Sequence, residues 1–308
     1  MTPRLSGLIA AATTPMDKTG ELNLSVIPQQ AQLLIESGVQ GVFVCGTTGE
    51  CHSLSLAERL QVAEGWIAAA KDRLRIVIHV GSNSLPDARA LAAHAERIGA
   101  DAISTVAPFF FKPSNVNDLV DFCAAIAQAA PDLPFYYYHI PVLTGVNLPM
   151  IPFVEQAVRN IPTFAGLKYT DEDLMTLHEC LLFQKGRLNV LYGRDEILLS
   201  ALVLGVDGAV GSTYSYAAPV YLRIMDAVAK GDILGARREQ AKAVEMIAAL
   251  DGAGGLRAGK AVMAMLGVDC GPVRLPLRSM TDAEIRALYE MIKHLDVFPR
   301  PLQPPKPV

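Results

Sequence analysis

Eight short apolar runs, each spaced from the next by a longer stretch, predict an α/β chain folded as a (β/α)8 TIM barrel with a C-terminal helical extension. Three observations carry this. The runs are near-continuously apolar or β-branched rather than alternating, which is the pattern of parallel strands covered on both faces. All eight fall before residue 215, and ~250 residues is typical of such a barrel. No Gly-x-Gly-x-x-Gly follows the first run, so an open doubly wound sheet with a dinucleotide site lacks its usual signature.

The elements follow in chain order. Leu8–Ala12 reads as the first strand and Val26–Ser37 as an amphipathic helix. Gly41–Cys45 precedes Leu56–Ala70, Arg75–Val80 precedes Asp87–Ile98, and Ala102–Ala107 precedes Asn117–Gln128. Phe135–His139 is the fifth strand. Phe164–Lys168 is the sixth, followed by a helix over Asp171–Phe183. Val190–Tyr192 and Gly208–Gly211 complete the eight. Further helical patterns near Ala217–Ala229, Ile233–Leu250 and Thr281–Lys293 exceed what the barrel needs. The expected organisation is a barrel over 1–215, helices packed on it over 216–298, and a loose proline-rich tail over 299–308.

Composition narrows the function classes. Hydrophobic residues make up 51% and charged residues 19%, as in a well-packed soluble protein. The formal net charge is -4 and there is no basic block, which argues against a nucleic-acid or anionic-membrane surface. No apolar stretch is long enough to span a bilayer, and no signal-type leader opens the chain. The 5 cysteines are scattered, with no Cys-x-x-Cys pair, which points to a reducing cytoplasm rather than a disulfide framework. His52, His79, His94 and His178 do not group with carboxylates at metal-ligand spacing, so no metal site is expected.

In a barrel the chemistry lies at the C-terminal ends of the strands. Lys168 ends the sixth strand. Desolvation disfavours an ammonium, and a free amine is a nucleophile that forms a Schiff base with a carbonyl; alone, the same lysine could snorkel to solvent. Strand two ends in Gly46-Thr47-Thr48-Gly49-Glu50, which offers N–H and hydroxyl donors for a carboxylate or phosphate, or is a simple turn. On strand five, Tyr136 and Tyr138 share one face and Tyr137 takes the other. His139 reads first as a hydrogen-bonded structural histidine. Asp195-Glu196 is either a site pair or a first-turn helix pair. Gly211-Ser212-Thr213-Tyr214 closes strand eight.

These segments together resemble the class I pyruvate aldolases, the family of N-acetylneuraminate lyases and dihydrodipicolinate synthases. Gly46-Thr47-Thr48-Gly49-Glu50 is similar to the family's hydroxyl-bearing turn, and Tyr138-His139-Ile140-Pro141 to its strand-five tyrosine motif. Gly166-Leu167-Lys168 is similar to its Schiff-base strand. The resemblance runs from Leu8 to about Leu277. Leu143 stands where the synthase branch usually carries an arginine for its aldehyde's carboxylate. Asp195-Glu196 resembles the acidic pair that grips a polyhydroxy tail. With Ala107-Pro108-Phe109-Phe110, the set looks most like the animal-type N-acetylneuraminate lyase branch.

The resemblance implies cleavage of N-acetylneuraminate to N-acetylmannosamine and pyruvate. Lys168 would form the imine and Tyr138 would relay the proton. Thr47 and Thr48 would bind the C1 carboxylate, and Thr170, Gly193, Asp195, Glu196 and Ser212 would hold the sugar chain. No cofactor or metal is needed, because the imine is the electron sink. A homotetramer is implied, acting on small molecules with no nucleic-acid or membrane partner. Two alternatives stay open: an aldolase or dehydratase for another 2-keto-3-deoxy sugar acid or a dihydrodipicolinate synthase-like enzyme, and a non-catalytic keto-acid-binding barrel.

Overall fold

The computed structural model describes residues 4–305. Eight parallel strands form a closed barrel in sequential order: β1 Gly7–Ala11, β2 Gly41–Val44, β3 Arg75–His79, β4 Ala102–Val106, β5 Phe135–His139, β6 Phe164–Tyr169, β7 Asn189–Tyr192 and β8 Gly208–Gly211. β1 pairs with both β2 and β8, so no edge is left open. The helices are α1 Ile27–Glu36, α2 Leu56–Ala70, α3 Leu85–Arg97, α4 Val116–Ala127, α5 Pro141–Thr144, α6 Met150–Asn160, α7 Leu174–Leu182, α8 Leu198–Leu204, α9 Tyr214–Ala229, α10 Ile233–Gly252, α11 Leu256–Met265 and α12 Asp282–Ile292.

Local signals set the helix starts. Ser55 caps α2 in a reciprocal box with Glu58, and Thr281 does the same with Glu284 for α12. α9 packs on β1 and beside α1 and α8, which completes the outer ring. The helices beyond the eightfold pattern are therefore α10, α11 and α12. The tail differs from the expectation of a loose segment. Leu302 is buried, and the Gln303 N–H donates to the Met265 carbonyl at 2.8 Å, fixing the chain behind α11. Residues 306–308 of that tail lie outside the described residues.

Two apolar cores result. The larger fills the space between sheet and helices. The smaller lies inside the barrel and includes Ile9, Phe43, Val77, Tyr136, Tyr138 and Leu191. The division follows strand alternation: Tyr136 and Tyr138 point inward, while Tyr137 packs outward on Phe153 with ring centroids 4.5 Å apart. All five cysteines are free and buried.

Candidate active site

Strand register brings Tyr138 and Lys168 together. Tyr138 on β5 and Lys168 on β6 are direct ladder partners. A one-residue irregularity sets their common direction. Phe135 pairs with Phe164 and the next residue, Tyr136, pairs with Gly166, so Ala165 is a bulge. It lets Phe164 face outward and Lys168 inward, although the two are four residues apart and strict alternation would put them on one face. Lys168 is only 4% exposed. Its Nζ lies 3.9 Å from the Tyr138 ring centre and 4.4 Å from that of Phe43. The ring faces stabilise an ammonium or an iminium there by cation–π attraction. His79 stands edge-on to Tyr138, 6.0 Å between centroids, and burial holds its imidazole well below its usual pKa, hence neutral.

Above this pair is the turn after β2. Cys45 and Glu50 adopt positive φ at its two ends, and Gly49 is closely confined by Cys45 Cα and the Ala12 carbonyl. The tight loop exposes Thr47, whose Oγ1 lies 3.5 Å from the Tyr138 hydroxyl. Thr47, Thr48, Asp195, Glu196 and Ser212 all line a cavity of about 340 Å³. Five of the site residues expected from sequence thus share one cavity, with Lys168 and Tyr138 deeper in the barrel beside Thr47. Thr170 and Gly193 do not line the cavity; they pack on each other. A Cβ on Gly193 would fall on Thr170 Oγ1, so only glycine permits the approach.

The acidic pair has unequal members. Asp195 is 5% exposed, and burial raises its carboxyl above the usual range. Its Oδ2 accepts from the Thr213 N–H at 3.1 Å and the Thr213 hydroxyl at 2.7 Å, while Oδ1 is buried with no partner among the described residues. The Tyr214 hydroxyl, also buried without a partner, faces this carboxylate, and an unpaired buried acceptor costs about 1–3 kcal/mol. Gly211 must be glycine, because a Cβ would strike this carboxylate. Glu196 is more exposed and pairs with Arg194 Nε at 3.0 Å; Arg194 also bonds Glu172.

Sequence reasoning missed the support for these groups. Gln240 on α10 donates to the carbonyls of Asp195 and Glu196, at 3.1 Å each. Gly255, Leu256 and Gly259 of the α11 region close the cavity from the C-terminal side. Only the hydrophobic periodicity of residues 256–265 could have flagged α11. His139 sits outside the barrel, 3.4 Å from Asp171 and stacked on Tyr169, in line with a structural histidine. Among the described residues, no three His, Cys, Asp or Glu side chains gather as a metal site, and no helix is long and apolar enough to cross a membrane.

The dihydrodipicolinate synthetase family pattern matches residues 4–295. The chain belongs to the dihydrodipicolinate synthetase family. Within that family, the N-acetylneuraminate lyase of Sus scrofa is 44% identical over 300 residues, covering 96% of this chain and 94% of its own. The N-acetylneuraminate lyase of Gallus gallus is 45% identical over 302 residues, covering 95% and 98%. The solved Proteus mirabilis N-acetylneuraminate lyase superposes with a TM-score of 0.94 at 39% identity, covering 96% of this chain and 100% of that one.

Proposed function

We propose that this chain is a Schiff-base aldolase that cleaves N-acetylneuraminate to N-acetylmannosamine and pyruvate. The observation that carries it is a buried lysine, ladder partner of a tyrosine, under a cavity walled by a hydroxyl-bearing turn and a carboxylate with a free oxygen. The family members named above, at 39–45% identity, act under that name.

The chemistry runs as follows. The Lys168 amine adds to the C2 ketone of the open-chain acid and loses water, leaving an iminium. Breaking C3–C4 sends its electron pair into the iminium, giving an enamine instead of an unstabilised carbanion. The C4 hydroxyl loses its proton in the same step and becomes the aldehyde of N-acetylmannosamine. Tyr138 relays that proton toward the substrate carboxylate; a phenol is a weak base alone, so the adjacent iminium assists. The enamine takes a proton at C3, and water releases pyruvate and the amine. Thr47 and Thr48, with the N–H groups of their turn, hold the carboxylate. Asp195 Oδ1 and Glu196 accept from tail hydroxyls, with Ser212, Thr170 and Gly193 shaping that end.

We place the enzyme in the cytoplasm as a homotetramer. Its five cysteines are buried and free, and two exposed apolar surfaces await partners. One comprises Phe110 and Phe111 on the loop after β4, with Val142 and Leu143 of α5, and Phe111 is 86% exposed. The other is a groove of about 640 Å³ between α7 and α8, with Met175, Leu182 and Val203 on its rim. Patches of this kind mark interfaces.

The test is pyruvate with borohydride. An imine reduced at Lys168 should appear by peptide mapping, and release of pyruvate should be fastest from N-acetylneuraminate among sialic and shorter 2-keto-3-deoxy acids. An adduct at another residue would overturn the mechanism. Faster turnover of a six-carbon acid would reassign the substrate.

A further inference from the structure

Glu50 ends the Gly46–Glu50 turn at φ 54 and directs its carboxylate away from the cavity into protein. Lys260 on α11 meets it, Nζ to Oε1 at 2.8 Å, with the two side chains 3% and 2% exposed. Oε2 accepts from the Arg274 N–H at 2.8 Å, and Lys260 also donates to the Pro272 carbonyl at 2.6 Å. The turn is therefore clamped by two C-terminal segments distant in sequence. The Glu50 N–H in turn donates to the Thr47 carbonyl at 3.0 Å, which ties the clamp to the residue beside Tyr138.

A buried ion pair is a weak source of stability, since desolvation offsets most of the attraction. Its chemistry suits another task. A carboxylate next to a turn that must accept a second carboxylate repels it unless a cation cancels the charge. We infer that Lys260 is a positioning residue for pyruvate recognition: its ammonium neutralises Glu50 and fixes the Thr47–Thr48 turn, so that the turn can hold the substrate carboxylate.

This rests on the aldolase assignment above, and the experiment separates the two. Wild type, Lys260→Met and the double variant Glu50→Gln/Lys260→Met are each titrated with pyruvate in the borohydride trapping reaction, alongside KM and kcat for N-acetylneuraminate and a thermal melt. Lys260→Met leaves Glu50 uncompensated, so its half-saturating pyruvate should rise on the order of tenfold, with KM following and kcat changing little. The double variant removes both charges and should return to within about threefold of wild type. Lys260→Met with unchanged half-saturation and only a lower melting temperature would overturn the inference, as would a double variant no better than the single one. Should Lys260→Met fail to fold, a soluble double variant with wild-type pyruvate binding supports charge cancellation, and one with weakened binding overturns it. No adduct in the wild type would remove the aldolase assignment and this inference together.

Discussion

Replacing Tyr138 by phenylalanine separates the chemistry of its hydroxyl from the packing of its ring. The ring carries the structural contacts: Lys168 Nζ at 3.9 Å, Phe43 at 5.7 Å and His79 at 6.0 Å between centroids. All of these survive in phenylalanine. The hydroxyl has a single protein partner among the described residues, Thr47 Oγ1 at 3.5 Å, longer than a good O–H···O bond. It therefore contributes well under ~1 kcal/mol to stability, and the melting temperature should move by less than about 2 °C. A positioned proton-transfer group is typically worth about 10²–10⁴ in rate. At 1.36 kcal/mol per decade that is about 3–5 kcal/mol of transition-state stabilisation. Tyr138→Phe should thus lose two to four decades of kcat for N-acetylneuraminate while KM stays within a few-fold. The borohydride-trappable imine should persist. Steady-state kinetics, trapping and a thermal melt on one preparation suffice. A kcat within a few-fold of wild type would move the proton relay elsewhere, and a large loss of stability would mean the hydroxyl holds the barrel rather than the proton.

Asp195→Asn keeps an acceptor toward the Thr213 N–H and turns the free oxygen into a donor, so kcat/KM should fall about 10–100-fold with pyruvate trapping unchanged; equal kinetics would show that Oδ1 meets no substrate hydroxyl. Gly166→Ala would set a methyl on the Asn189 carbonyl of β7, so about 1–3 kcal/mol of stability and the imine at Lys168 should be lost together, as checked by denaturant unfolding and trapping. Arg274 holds the Glu58 carboxyl at about 2 against an ordinary 4.5, so the folded state favours its ionised form. That contribution is complete above about 4.5 and disappears as pH falls toward 2; Glu58→Gln should flatten the stability curve in that window, by a small amount because the pair is partly hydrated.

The strands were legible because parallel strands buried on both faces need largely apolar runs, which the chain keeps despite polar residues such as Ser104 and Thr105 on β4. The helices α6, α8 and α11 were not. Met150–Asn160 opens after prolines, Leu198–Leu204 has only seven residues, and Leu256–Met265 starts between glycines. At the candidate site, Lys168, Tyr138 and the residues lining the cavity could be found from local motifs. What holds them could not. Thr213 and Gln240 secure Asp195 from two other elements, and Lys260 reaches Glu50 across most of the chain. Such pairings depend on closure of the barrel and leave no local pattern. The bulge at Ala165 is similar: strict alternation would put Phe164 and Lys168 on one face, and only the ladder to β5 shows the offset.

The buried thiols give the molecule a practical property. Desolvation pushes Cys45 and Cys180 up to about 12, and Cys51, Cys123 and Cys270 are raised as well. Few thiolates exist near neutrality, and those that form are shielded, so alkylating reagents should leave the native fold unmodified. A single cysteine placed at exposed Ser114, close in sequence to Phe111, would then be the one fast-reacting thiol on the surface. A fluorophore attached there would report when the aromatic rim is covered, and the same handle could tether the protein to a support without touching its interior.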